Sequence, residues 1–217
     1  MTFFEQLQQT TQAEQADLHS IPIIRKALTG EVTLNQYVAF LTQAYHHVKH
    51  TTPLLMACGA RLGDDKEWLR EAIAHYIDEE IGHQEWILND ITACGVDAEA
   101  VRRGSPAFST ELMVAYAYDT IARGNPVGFF GMVHVLEGTS IQFATHVAGI
   151  LQQSLGLPKQ AFTYLSSHGS LDLEHVDFFR GLVNQLDSDN DKACLVRCAK
   201  AVFRLYGDIF RSLEVVQ

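Results

Sequence analysis

Apolar residues recur every three to four positions along nearly the whole chain, and no run of strict alternation interrupts them. That period belongs to amphipathic helices. It predicts an all-α protein, a single-domain bundle of about seven helices over residues 1–217. One or two short helices are expected over residues 2–28, interrupted near Pro22 and closed by Gly30. Thr33 has the chemistry of an N-cap. The stripe Leu34, Tyr37, Val38, Leu41, Tyr45 and Val48 then predicts a long helix to about residue 62, kinked at Pro53.

A second long helix is expected over residues 66–94, with Gly95 as its stop. Its inner stripe reads Leu69, Ile73, Tyr76, Glu80, His83, Ile87 and Ile91. Residues 96–106 form a solvated connection holding Arg102 and Arg103. Ser109 is placed to cap a helix that ends near Arg123. Gly124-Asn125-Pro126 makes a turn, with Pro126 suited to a first helical position. The helix that follows, to about residue 155, carries Phe130, Val133, Glu137, Ser140, Ala144, Val147 and Leu151. Gly156-Leu157-Pro158 separates it from the next helix, and a last amphipathic one covers about residues 191–213.

Polar groups stand inside these apolar stripes. His168, Asp172 and His175 fall at i, i+4 and i+7, continuing the row Ala161, Leu165, His168, Asp172, His175, Phe179 and Leu182. Such residues share one helix face. Burying polar groups without partners costs about 2–7 kcal/mol for each neutral group and more for a charge. A metal ion is the simplest compensation for two imidazoles and a carboxylate. Glu80 and His83 form a Glu-x-x-His pair of the kind used in carboxylate-bridged di-iron bundles. With Glu137 the set is three carboxylates and three imidazoles, which suits two divalent ions such as iron or manganese. A single ion held by two His and one carboxylate satisfies the same residues. No sulfur ligand joins the set, which disfavours an iron–sulfur cluster.

Each candidate has a plainer reading. Glu79 lies four residues before His83 and can replace Glu80. Glu137 alone reads equally as a structural acid paired with a Lys or Arg, and His134, three residues earlier, competes as a ligand. Tyr76 lies one turn from Glu80 and reads as a core tyrosine or as a donor beside the metal. Phe129, Phe130, Phe178 and Phe179 are expected to wall a pocket, or simply to fill the core.

Composition narrows the class. The chain has 217 residues, 47% of them hydrophobic, and a net charge of −10. The charge argues against a nucleic acid or an anionic membrane surface as partner. No apolar run reaches the roughly 18 residues that cross a bilayer, and the start MTFFEQLQQTTQAEQ has no signal-peptide pattern. Cys58, Cys94, Cys194 and Cys198 lack disulfide or Cys-x-x-Cys spacing, so they are expected reduced, in a cytoplasmic protein.

The order of elements resembles the haem-oxygenase-like fold, and within it the di-metal oxidases. Their pattern is a Glu with a His on one core helix, a lone Glu on a later one, then His-x-x-x-Asp-x-x-His. Here these are Glu80 and His83, Glu137, and His168, Asp172 and His175, across residues 34–186. The resemblance implies an oxidase or oxygenase that uses Fe(II), two ions or alternatively manganese, and dioxygen to oxidise a small organic substrate. It also implies a homodimer. Some members carry a further carboxylate where this chain reads Tyr45-His46-His47-Val48-Lys49-His50. There His47 or His50 is a candidate extra ligand, or the run is solvated. Gly169 weakens the ligand helix by about 1 kcal/mol relative to alanine, so metal affinity and local order are expected to be coupled.

Sister families differ at the site. TenA/thiaminase-II hydrolases use an Asp, whose expected place falls near Ala44, and a Cys with no match here. PqqC-like oxidases need no metal. Haem oxygenases hold haem through an N-terminal His; His19 is so placed, but in a different local motif.

Overall fold

The computed structural model describes residues 1–216, with side chains for all of these except 140–143 and 168–175. Among the described residues the protein is all-helical, with α-helices and three short 3-10 turns and no strand.

Helix α1 (Phe3–Ser20) starts in a capping box: Glu5 N donates to Thr2 Oγ1, and Thr2 N to Glu5 Oε2. Helix α2 (Pro22–Thr29) begins with its proline at the first position and ends at Gly30 in the left-handed region. Thr33 caps helix α3 (Leu34–Val48) in a second capping box, with Gln36. The expected long helix is then interrupted at Lys49 and His50, and helix α4 (Thr51–Arg61) follows as a separate element. Pro53 lies in the first turn of α4, where its missing N–H leaves no bond unmade. The proline begins a new helix instead of kinking an old one.

A second interruption is functionally more important. Helix α5 (Glu67–Glu80) ends at Glu80, and helix α6 (His83–Ala93) starts at His83. Between them Gly82 takes φ +93°, a conformation favoured for glycine. The apolar stripe carries across the break, which is why periodicity alone predicts one helix.

Residues expected to be a bare connection include helix α7 (Ala98–Arg103), capped by Asp97. Arg102 there bonds both carboxylate oxygens of Glu85 and pairs with Glu99. Helix α8 (Phe108–Arg123) starts before Ser109, so Ser109 is not its cap; Ala107 N donates to Gln43 Oε1 instead. A 3-10 turn at Pro126–Phe129 leads into helix α9 (Phe130–Leu155). Helix α10 (Thr163–Val183) follows a 3-10 turn at Lys159–Phe162, and helix α11 (Asp189–Leu213) is capped by Ser188. Among the described residues the expected seven or so helices become eleven: residues 2–28, 34–62 and 66–94 each hold two, and the connection over 96–106 holds α7.

Helix α9 is the central strut, packing against α10, α11 and α2. It comes close to α11 at Gly131. A Cβ on Gly131 would stand 2.5 Å from both Ala199 N and Leu195 O, so only glycine lets the two backbones meet there.

Candidate metal centre

Two of the three polar interruptions of the stripes lie among the described side chains. Glu80 and Glu137, from α5 and α9, line one cavity of about 210 Å3. Its walls are mainly apolar, including Ile23, Leu54, Phe129, Val133 and Leu136. His83 is 4% exposed, and its Nδ1 lies 3.2 Å from Glu80 Oε2. The Gly82 turn therefore restores across a helix break the proximity that a continuous helix would have given. His83 also packs on Trp86, with ring centroids 3.9 Å apart. His168, Asp172 and His175 belong to α10, but their side chains lie outside the described residues, as does Ser140.

Tyr76 is buried and lines the same cavity. Burial raises its pKa, and the nearby carboxylates of Glu137, Glu79 and Glu80 raise it further. The phenol is therefore neutral and lies within the field of both cavity acids. Phe178 stacks edge-on against it at 5.4 Å.

The alternatives separate on geometry. Glu79 faces away enough to pair with His75 Nε2 at 3.4 Å, and its side chain is more exposed than that of Glu80. His134 stacks on Phe179 and meets Phe4 and Phe203 edge-on. It lines a second cavity of about 250 Å3 with Gln8, Thr11 and Gln15, and Glu137 lines that cavity too. Burial lowers the His134 pKa to about 4. Of the four phenylalanines expected to wall the pocket, Phe129 lines the first cavity and Phe179 the second. Phe130 is core at 1% exposure, and Phe178 packs on His75 and Tyr76.

Of the histidine run, His46 and His47 on α3 are buried and His50, just beyond it, is half-buried. His46 places Nδ1 3.3 Å from Lys49 Nζ, and burial, Lys49 and His50 lower its pKa. His50 Nδ1 lies 3.1 Å from Tyr118 OH. His47 lines the first cavity, and so does His19 from α1. The stripe periodicity did not single out His19, whose placement comes from the turn at Ile21 and Pro22.

Among the described residues no group of three His, Cys, Asp or Glu stands ready to hold an ion. His168, Asp172 and His175 are not among the described side chains. The donors that are described, a carboxylate and an imidazole 3.2 Å apart, are of the types that bind divalent first-row ions. Neither the described cavity wall nor residues 140–143 and 168–175 include a Lys, Arg or Cys.

The all-helical fold is that of the haem-oxygenase-like proteins. A family model described as iron-containing redox enzyme matches residues 38–207, and the chain belongs to that family. Among its relatives is a 4-aminobenzoate synthase from Chlamydia muridarum, 23% identical over 99% of this chain and 91% of the relative. A Shewanella denitrificans protein with a haem-oxygenase-like fold superposes with a TM-score of 0.88 at 24% identity, covering 99% of this chain and 92% of that one. Haem oxygenase-1 from the cyanobacterium Synechocystis, solved with haem, gives 0.77 at 13% identity, covering 99% and 93%. These structural likenesses establish the fold.

Proposed function

We propose that the protein is a non-haem oxidase or oxygenase that holds two ferrous ions between Glu80, His83, Glu137, His168, Asp172 and His175. The observation that carries this reading is that Glu80 and Glu137, from separate helices, line one apolar cavity, with His83 beside Glu80. Bound iron would supply the activation of dioxygen for oxidising a small organic substrate. The chain supplies the rest. Its carboxylates neutralise the cations, and its apolar walls exclude water. The neutral Tyr76 phenol is a hydrogen donor beside the acids. The name of the Chlamydia relative makes 4-aminobenzoate the first product to assay for. Four free cysteines fit a cytoplasmic setting, and the reading includes a homodimer, measurable by light scattering.

Anaerobic protein reconstituted with Fe(II) is expected to retain close to two ions per chain and to give an absorbance transient on mixing with oxygen. His168→Ala and Glu137→Ala are each expected to abolish the transient. Retention of the transient by both variants overturns the ligand assignment.

One observation favours a second reading. His19 lines the cavity, which suits an axial ligand for haem. A Soret band on haem addition that disappears in His19→Ala would select that reading over the first. A thiol-dependent hydrolase is less well supported. Burial pushes Cys58 and Cys198 up to about 12 and Cys94 up to about 11, so these thiols are protonated at neutral pH.

A further inference from the structure

Helix α10 carries half of the proposed ligand set, yet no side chain of its own caps its start: the N-cap position is Phe162. The first N–H groups of a helix lack intrahelical partners and need acceptors. They find one seventy-odd residues away in sequence. Asp90, on α6 and 0% exposed, accepts from Thr163 N at 3.1 Å and from the Thr163 hydroxyl through Oδ1. Its Oδ2 accepts from Tyr164 N at 2.9 Å. Tyr37 OH, from α3, donates to Ala161 O at 2.6 Å just before the helix. The entry to α10 is thus held from two sides.

A serine or threonine at position 162 would cap the helix locally without burying a charge. A buried carboxylate is costly unless its acceptor sites are filled; here three neutral donors offset part of that cost, and burial still holds the Asp90 carboxyl above its ordinary pKa. What the distant cap adds is a fixed relation between two helices. His83 is the first residue of α6, and Asp90 lies two turns on at i+7, on the same face. His168 follows Tyr164 by one turn on α10. The carboxylate thereby links the helix that begins with His83 to the first turn of the helix that carries His168, Asp172 and His175.

We propose that Asp90 is a positioning residue for the metal centre, holding the start of α10 in fixed register with His83 through the Thr163 and Tyr164 N–H groups and the Thr163 hydroxyl. The proposal rests on the di-iron reading above. Removing the grip leaves the ligand types intact but forces the incoming ions to order α10 as they bind. Supporting groups outside the ligand shell typically change metal affinity by about 10–100-fold when lost.

The test is anaerobic Fe(II) titration of the full chain against a competing chelator, with thermal melting of the metal-free and loaded forms. Asp90→Asn keeps the size of the side chain and an acceptor for Thr163. It loses the charge and the acceptor facing Tyr164. It is expected to bind Fe(II) about tenfold more weakly and to gain less melting temperature from the metal than the wild type. Thr163→Val removes only the hydroxyl donor and is expected to weaken binding by about threefold, the low end of a lost cap. A purely structural role predicts instead that both forms of Asp90→Asn melt lower by the same amount with affinity unchanged, and that result overturns the proposal. If Asp90→Asn does not fold, unchanged affinity in Thr163→Val overturns it. A wild-type chain that takes up no iron fails the di-iron reading itself, whatever the variants do.

Discussion

Glu80 ends one helix and His83 begins the next, and their Oε2 and Nδ1 atoms stand 3.2 Å apart. The turn between them depends on Gly82 at φ +93°, where a Cβ would meet no atom within 4 Å. Substitution there is penalised by backbone conformation alone. Gly82→Ala is expected to cost about 1–2 kcal/mol, read from urea unfolding. It is also expected to weaken Fe(II) binding, because relief of the strain moves His83 away from Glu80.

Tyr76 offers a cleaner separation of fold from chemistry. Tyr76→Phe keeps the ring against Phe178 and removes only the hydroxyl, whose pKa the nearby Glu137, Glu79 and Glu80 help to raise. The variant is expected to retain two irons and to consume oxygen at least tenfold more slowly, measured with an oxygen electrode. An unchanged rate makes Tyr76 a packing residue.

Acid is expected to destabilise the protein through His134. Its pKa is about 4 in the fold, against roughly 6.5 when unfolded. Between those values the unfolded chain binds more protons, so stability falls as pH drops from about 6.5 to 4 and is fully present above that window. The loss is on the order of 3 kcal/mol from this group. His19, His46 and His50, also lowered, act in the same direction. Urea midpoints at pH 7 and pH 4.5 are expected to differ less in His134→Phe than in the wild type.

Gly131 tests the central contact. Gly131→Ala would drive a methyl group to 2.5 Å from two backbone atoms of α11. The expected loss is about 3 kcal/mol, again from urea unfolding. A near-neutral result would mean that α9 and α11 part more easily than their contact implies.

Native protein treated with iodoacetamide at pH 7 is expected to keep its oxygen-dependent transient. Cys58, Cys94 and Cys198 are buried and protonated. Loss of activity with the first thiol alkylated would point to thiol chemistry instead.

Local chemistry made much of the helical order legible. Thr33, Pro22, Gly30 and Gly156 act at the boundaries their side chains and backbones imply. The breaks at Lys49–His50 and Ile81–Gly82 were not legible, because the apolar face continues through each of them. Glu80, His83 and Glu137 were readable as polar intrusions into apolar stripes, and two of them share the cavity. The same rule finds Asp90, an acid seven residues after His83 between Ile87 and Ile91. It was missed because the stripe was drawn through Ile91, its neighbour. The cavity roles of His19 and His47 depend on how α1 and α3 turn toward α9, which periodicity does not encode.

Among the described residues that line it, the cavity carries the acids Glu80 and Glu137 and no Lys or Arg. As carboxylates, these acids give an empty chamber a field that attracts cations and turns organic acids away. On the di-iron reading, positive ions are expected to enter first and an anionic molecule only once they are in place. Mixed before iron, an acidic compound should remain outside; mixed after, it gains the attraction that the bare walls deny it.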